Sequence, residues 1–227
     1  MEKKKIVILT GAGMSAESGL RTFRDGDGLW EEHHIEDVAT PEAWQKDRSL
    51  VQRFYNERRK SVLQAQPNDG HKGLALLEQR YDVHIVTQNI DDLHERAGST
   101  KVMHLHGEIL TMRSEKDRHS IYPITEDIKE DAKAVDGSYL RPNIVWFGEE
   151  VPMIEKAIPL MEAADIFILV GSSLAVYPAA GLLHYVDASV PKYIIDKKIP
   201  KVSIQNVIPI EKPATEGVAE LLKILMP

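Results

Sequence analysis

Short, uninterrupted apolar runs punctuate the chain, each closed by a turn signal: Ile6 to Leu9, Val83 to Val86, Ile166 to Val170 and Tyr193 to Ile195. A strand with one wet face alternates apolar and polar positions; these runs do not. Continuous hydrophobicity is what strands of a parallel sheet need when helices cover both faces. Helical patterns lie between the runs, at Gly70 to Arg80, Pro152 to Ala164, Pro178 to Val186 and Ala214 to Leu225. This alternation predicts an α/β fold built on a Rossmann-like parallel sheet. Two stretches break the rhythm. Residues 31–68 are polar and helical, with Trp44, Leu50, Val51, Phe54 and Tyr55 as an apolar face, and residues 108–140 are charged and short of core residues. We expect both to be insertions forming a small lobe beside the sheet, within one domain over residues 1–227.

Composition narrows the partners. With 43% hydrophobic residues in 227, the chain can bury a sizeable core. A net charge of -7 argues against nucleic acid, since duplex binders present a basic face. It leaves basic, lysine-bearing peptides open. The chain has no cysteine, which removes disulfides, thiolate metal sites and thiol nucleophiles together and fits a cytoplasmic protein. Lys3-Lys4-Lys5 before Ile6 to Leu9 has the outline of a signal peptide, but the apolar run is too short and ends in a Thr10-Gly11-Ala12-Gly13 turn. No stretch has the length to span a bilayer, so no membrane partner is expected.

Three motifs carry chemistry. Gly11-Ala12-Gly13-Met14-Ser15-Ala16 follows the first apolar run and satisfies G-x-G-x-x-G/A, whose glycines let a diphosphate approach the backbone at a helix N-terminus. A dehydrogenase would continue into a second strand ending in an acidic residue for the ribose. Here a glycine-rich, polar loop follows from Glu17 to Trp30, suited to folding over a cofactor, with Phe23 to exclude water and Arg24 to reach a phosphate or ribose. The second motif, Thr87-Gln88-Asn89-Ile90-Asp91, closes the run Val83 to Val86, where open α/β sheets bind ligands; Asp91 also suits a helix cap. The third, His104-Leu105-His106-Gly107, lets one histidine face a pocket and the other turn away. A histidine suits a general base near neutral pH. Metal binding by the pair lacks a third ligand, so no metal is expected there.

Together with Arg141-Pro142-Asn143-Ile144-Val145-Trp146-Phe147-Gly148-Glu149 and Gly171-Ser172-Ser173-Leu174-Ala175-Val176-Tyr177-Pro178, these motifs resemble, in order and spacing, the signature of the sirtuins across almost the whole chain. The resemblance implies an NAD-dependent enzyme that removes acyl groups from protein lysines, giving nicotinamide and acyl-ADP-ribose. By the same resemblance, Gly11, Ala12, Gly13, Ala16 and Glu17 line the NAD site with Phe23 and Arg24. Gln88, Asn89, Ile90 and Asp91 hold nicotinamide and its ribose, with Asn89 and His106 catalytic and His106 the base. Gly171, Ser172 and Ser173 lie near the adenosine half, and Asp196 near its ribose. Val145, Phe147, Gly148, Glu149 and Val176 form the cleft in which an acyl-lysine peptide adds as a strand.

Two departures follow. Sirtuins generally carry four cysteines around a structural zinc, and Ser114 and Asp117 stand where the first pair would fall; zinc is not expected, and residues 108–140 should fold on Ile109, Leu110, Met112, Ile121, Tyr122 and Ile124. Arg21 replaces a common proline. Tyr55 and Arg58 share a helix face at i, i+3 and, with Ala39, resemble the branch that removes succinyl and malonyl groups. A forked guanidinium and a hydroxyl suit a carboxylate. The other reading is a solvated basic helix, Arg58-Arg59-Lys60, with Tyr55 in the core. Other functions compatible with the cofactor motif are a protein ADP-ribosyltransferase, a dehydrogenase and a non-catalytic NAD-binding module.

Overall fold

The computed structural model describes residues 3–21, 29–30 and 33–227. Its centre is a six-stranded parallel sheet in the order β11-β10-β9-β1-β4-β5. Here β1 is Lys5–Thr10, β4 Asp82–Thr87, β5 Val102–His104, β9 Ile166–Val170, β10 Lys192–Ile195 and β11 Val207–Ile210. The uninterrupted runs behave as their composition requires. Ile6 and Ile8 pack with Leu74, Leu77, Val218 and Leu221 on one face, while Val7 and Leu9 pack with Ala157, Met161 and Leu182 on the other. Of these, Leu74 comes from α4 (Asp69–Leu76), Ala157 and Met161 from α6 (Met153–Glu162), and Val218 and Leu221 from α7 (Ala214–Leu225), while Leu77 and Leu182 lie in 3-10 segments. The predicted helix from Pro178 to Val186 is instead a 3-10 segment, Ala179–Tyr185.

The chain runs β1, β4, β5 to one side and then β9, β10, β11 to the other, so its direction reverses between β1 and β9. Ligands of open α/β sheets settle outside the carboxyl ends of the strands at such a reversal.

Residues 33–64 supply α1 (Ile35–Val38), α2 (Pro41–Lys46) and α3 (Arg48–Gln64), after a short hairpin of β2 (Leu29–Trp30) and β3 (His33–His34). Thr40 caps α2 through a bond from the Ala43 N–H, and Asp47 caps α3 through one from Leu50. Residues 107–144 form an antiparallel sheet in the order β7-β6-β8, from β6 (Gly107–Ser114), β7 (Ile121–Pro123) and β8 (Leu140–Ile144). Gly107 opens β6 at a φ of +83°, and a Cβ there would stand 2.0 Å from the Asn143 carbonyl oxygen. Only glycine permits that approach.

The helices and this sheet share one core, in which Val51, Phe54, Tyr55 and Val62 meet Ile109, Ile144 and Trp146. Arg59 is almost fully buried. It donates to the Ile109 and Glu126 carbonyls and to Asn56 Oδ1, while Asn56 pairs both ways with the Ile128 backbone. Burial lowers its pKa to about 10. Arg59 is therefore a structural tie, which corrects the picture of a solvated basic helix. The expected core of residues 108–140 is corrected at one position: Ile121 is exposed, whereas Ile109 and Leu110 join the shared core, and Met112, Tyr122 and Ile124 pack around Ile128, Ala134 and Leu140.

Ser114 is fully buried at the start of a polar knot. Its hydroxyl donates to Asp136 (2.6 Å), lies 2.8 Å from the Ser138 hydroxyl, and accepts from the Lys116 and Asp117 N–H groups. Hydrogen bonds from Ser114 and Ser138 hold the Asp136 carboxyl down to about 2. Ser114→Ala removes the hub, taking away the acceptor of the Lys116 and Asp117 N–H groups and one of the donors to Asp136. We expect a loss of about 1–3 kcal/mol in urea unfolding at neutral pH. Because the Asp136 pKa is depressed in the folded state, its share is present above the ordinary carboxylate range and disappears as pH falls through about 2. An unfolding midpoint equal to wild type at neutral pH contradicts the assignment.

Candidate active site

A cavity of about 500 Å³ opens at the carboxyl ends of the strands. Five of the six strands deliver a segment to it: Gly11 to Gly13 after β1, Gln88 to Asp91 after β4, His106 after β5, Gly171 to Ser173 after β9 and Asp196 after β10. From β10 to β5 are four inter-strand steps, or roughly 19 Å at about 4.8 Å each. That is a slot for an extended dinucleotide rather than a compact ligand.

Two loops interlock at the centre. Gly13 N–H donates to the Gly171 carbonyl at 2.8 Å, and Gly171, at a φ of +64°, passes so close that a Cβ would lie 2.3 Å from Met14 N. The expected helix after the glycine fingerprint is absent. Two 3-10 turns, Ala12–Met14 and Ala16–Ser18, take its place and point Ser15 inward.

Ser15 organises the polar wall. Its hydroxyl donates to Asp91 Oδ2 (3.0 Å) and accepts from Asn89 Nδ2 (3.0 Å). His71 Nε2 lies 3.5 Å away; Nδ1 of that ring accepts the Asn68 N–H, so the proton is on Nε2, facing Ser15. Burial drives the His71 pKa down to about 4, which keeps the ring neutral. Asp91 is buried, and burial raises its pKa against the hydrogen bonds from Leu93 N–H and Ser15. It thus takes up the first N–H of α5 (Leu93–Arg96), whose N-cap residue is Asp92, and faces the site at once. Gln88 Nε2 donates to Ser172 Oγ at 3.0 Å, spanning the gap between β4 and β9.

His106 has one ring nitrogen committed. Nδ1 donates to the Gln88 carbonyl at 3.1 Å, leaving the Nε2 lone pair without a partner among the described residues. Burial lowers its pKa, partly offset by that bond. A neutral imidazole with a free lone pair in a cavity wall is a proton acceptor.

The far end of the cavity is walled by Ala39, Tyr55, Arg58, Ile144 and Trp146. Tyr55 is fully buried, and burial pushes its hydroxyl well above the usual phenol range, so it stays a donor. Arg58 is also buried and donates one N–H to the Arg21 carbonyl at 3.3 Å. Val145, Phe147, Gly148 and Val176 also line the cavity and are exposed or half-buried, and the Phe147 N–H donates to the Ala39 carbonyl.

Two expected site residues are placed differently. Glu17 does not line the cavity; its carboxylate accepts from the Thr215 N–H and hydroxyl, capping the start of α7. Glu149 lines the wall, but Arg141 grips its carboxylate at 2.7 and 3.0 Å and the Trp146 N–H occupies it further. Burial raises its pKa, yet Arg141 outweighs that and holds it low. Glu149 shapes the Trp146 to Glu149 turn. Phe23 and Arg24 lie outside the described residues. Sequence reasoning passed over Ser15 as a hub, and missed His71 and Trp146. The signal for His71 was present as Asn68-x-x-His71, a reciprocal cap that buries a histidine at a fixed depth.

A model of the Sir2 family matches residues 11–178. An NAD-dependent protein deacylase of Bacteroides thetaiotaomicron is 51% identical over 231 residues, covering 99% of each chain. A Sir2 homologue variant bound to ADP-ribose superposes with a TM-score of 0.90 at 38% identity, over 99% of this chain and 92% of that one. A Sir2 homologue solved with NAD gives 0.88 at 37% identity, over 99% and 90%.

The His106 environment makes a direct prediction. An NMR titration of its ring should give a midpoint below the ordinary histidine value, with the Nδ1–H tautomer dominant at pH 7. A midpoint above that value, or the other tautomer, contradicts the geometry.

Proposed function

This chain belongs to the Sir2 family and is an NAD-dependent protein deacylase acting on acyl-lysine substrates, and on that premise we propose that its acyl pocket is selective for short acyl groups ending in a carboxylate. The observation that carries this reading is a buried guanidinium, Arg58, beside a buried phenol, Tyr55, in a wall otherwise formed by Ala39, Ile144 and Trp146. A carboxylate entering such a place costs far too much unless it is paired. Arg58 supplies a fork of donors and Tyr55 a hydroxyl that stays protonated, while Ala39 leaves room.

The same reading assigns the rest of the cavity. Gly11, Ala12, Gly13 and Ala16 line the diphosphate, with Gly171, Ser172 and Ser173 toward the adenosine and Asp196 at its ribose. Gln88, Asn89, Ile90 and Asp91 surround the nicotinamide end, and Asn89 holds its amide toward that group through Ser15. NAD, when bound, would supply a ribose carbon with nicotinamide as its leaving group, open to attack by the acyl oxygen. His106 then takes a proton from a ribose hydroxyl at Nε2, its Nδ1 remaining on the Gln88 carbonyl. Val145, Phe147, Gly148 and Val176 receive the peptide backbone as an added strand.

Two outcomes are expected. His106→Ala should abolish acyl removal in single turnovers while NAD binding, measured calorimetrically, largely survives; full activity overturns the base assignment. Arg58→Met keeps length and removes charge. It should depress desuccinylation far more than deacetylation, by about 2–5 kcal/mol in kcat/KM on matched peptides, roughly 30- to several-thousand-fold. A parallel fall in both activities means Arg58 only supports α3, and the carboxylate reading fails.

A further inference from the structure

His104 stands two residues before the proposed base and ends β5, and it is not part of the cavity wall that His106 lines. Alternation along an extended segment turns the two rings to opposite sides. Although it faces away, the ring is fully engaged. Nδ1 lies 2.9 Å from the Asn89 carbonyl oxygen, and Nε2 lies 2.8 Å from Glu95 Oε1 on α5. A carbonyl only accepts, so Nδ1 carries a proton. A second proton lies between Nε2 and the carboxylate. Burial opposes charge on both partners, but each outweighs it for the other: Glu95 is held below its usual range and His104 above its own. Glu108 adds to the attraction for the cation.

The segment this ring touches has left the sheet ladder and must be held by other means. Its three successive carbonyls are each claimed: Gln88 by His106 Nδ1, Asn89 by His104 Nδ1, and Ile90 by the Ile109 N–H. The Asn89 carbonyl has no other donor among the described residues. Glu95 in turn is fixed from the small-lobe side, because Arg96 on the same short helix donates to the Val62 and Ala65 carbonyls at the end of α3.

We propose that His104 and Glu95 form a positioning dyad for the reaction, in which an imidazolium steadied by Glu95 donates to the Asn89 carbonyl and holds Asn89-Ile90-Asp91 in the form that meets nicotinamide. His104 acts through Asn89 and touches neither substrate nor cofactor. The proposal rests on the assignment of Asn89 to the nicotinamide end.

Nicotinamide exchange, followed with labelled nicotinamide, NAD and an acetyl-lysine peptide, tests it in four variants. Asn89→Ala is the control: unchanged exchange overturns the assignment of Asn89 and the dyad with it. His104→Leu keeps bulk and loses both bonds, so the exchange kcat should fall about ten- to a hundredfold while the peptide KM stays at its wild-type value. His104→Asn presents an N–H near the Nδ1 position and should recover most of that loss. Wild-type exchange in His104→Leu, no recovery in His104→Asn, or a peptide KM that rises as kcat falls overturns the dyad with Asn89 still in place. Should His104→Leu not fold, Glu95→Gln carries the test. It leaves the imidazole uncharged and its bond to Asn89 weaker, for about a three- to tenfold loss of exchange; wild-type exchange there overturns the proposal.

Discussion

Helices cover both faces of the central sheet, so polar groups at the ends of its inner strands have little water to turn to and must find partners within the chain. The Ser15 hydroxyl meets that demand at the most crowded point. It gives its proton to Asp91 and takes one from Asn89, and both side chains are thereby fixed in direction. Gln88, tied to Ser172, and His106, tied to the Gln88 carbonyl, extend the same arrangement across β4, β5 and β9. The few valences this network leaves over, above all Nε2 of His106, are the ones the proposed function uses. Pre-organisation here is a by-product of satisfying buried groups.

What was legible in the sequence tracks how local each signal was. The four apolar runs all became strands of the parallel sheet, because continuous hydrophobicity has few other uses at that length. The helix from Ala214 to Leu225 was found to the residue. Strands β5 and β11 escaped notice: one is three residues long and holds His104, the other carries Pro209 on the edge. The antiparallel sheet of residues 107–144 was equally hidden. Its core is small, and polar ties such as Arg59 to the Ile109 carbonyl and the Ser114 knot do much of the holding. Such bonds join positions 22 to 50 apart in sequence and leave no periodic trace.

The site was legible as a set of motifs, and less so as a set of roles. Most of the singled-out residues do come together around one cavity. Motif spacing says that a glutamate is near, but it does not say which way the carboxylate turns. Glu17 turned out to cap α7, and Glu149 to anchor Arg141, because each had a stronger partner at hand than open solvent. His71 was missed for the converse reason. The Asn68-x-x-His71 cap marks a helix start and a buried ring, but only the fold brings that ring to Ser15.

Helix α3 does two jobs with adjacent residues. Tyr55 and Arg58 face the cavity, whereas Asn56 and Arg59, set about 100° around the helix, tie it to residues 109 and 126–128. Anchoring and the proposed acyl selection therefore fall on separate faces of one rigid rod. Substitutions at position 58 leave the anchors intact, so their effects on pocket chemistry and on lobe stability should be close to separable. On the proposed reading of Arg58, drift at that single position would rewrite acyl preference without first requiring compensating changes among the Asn56 and Arg59 anchors.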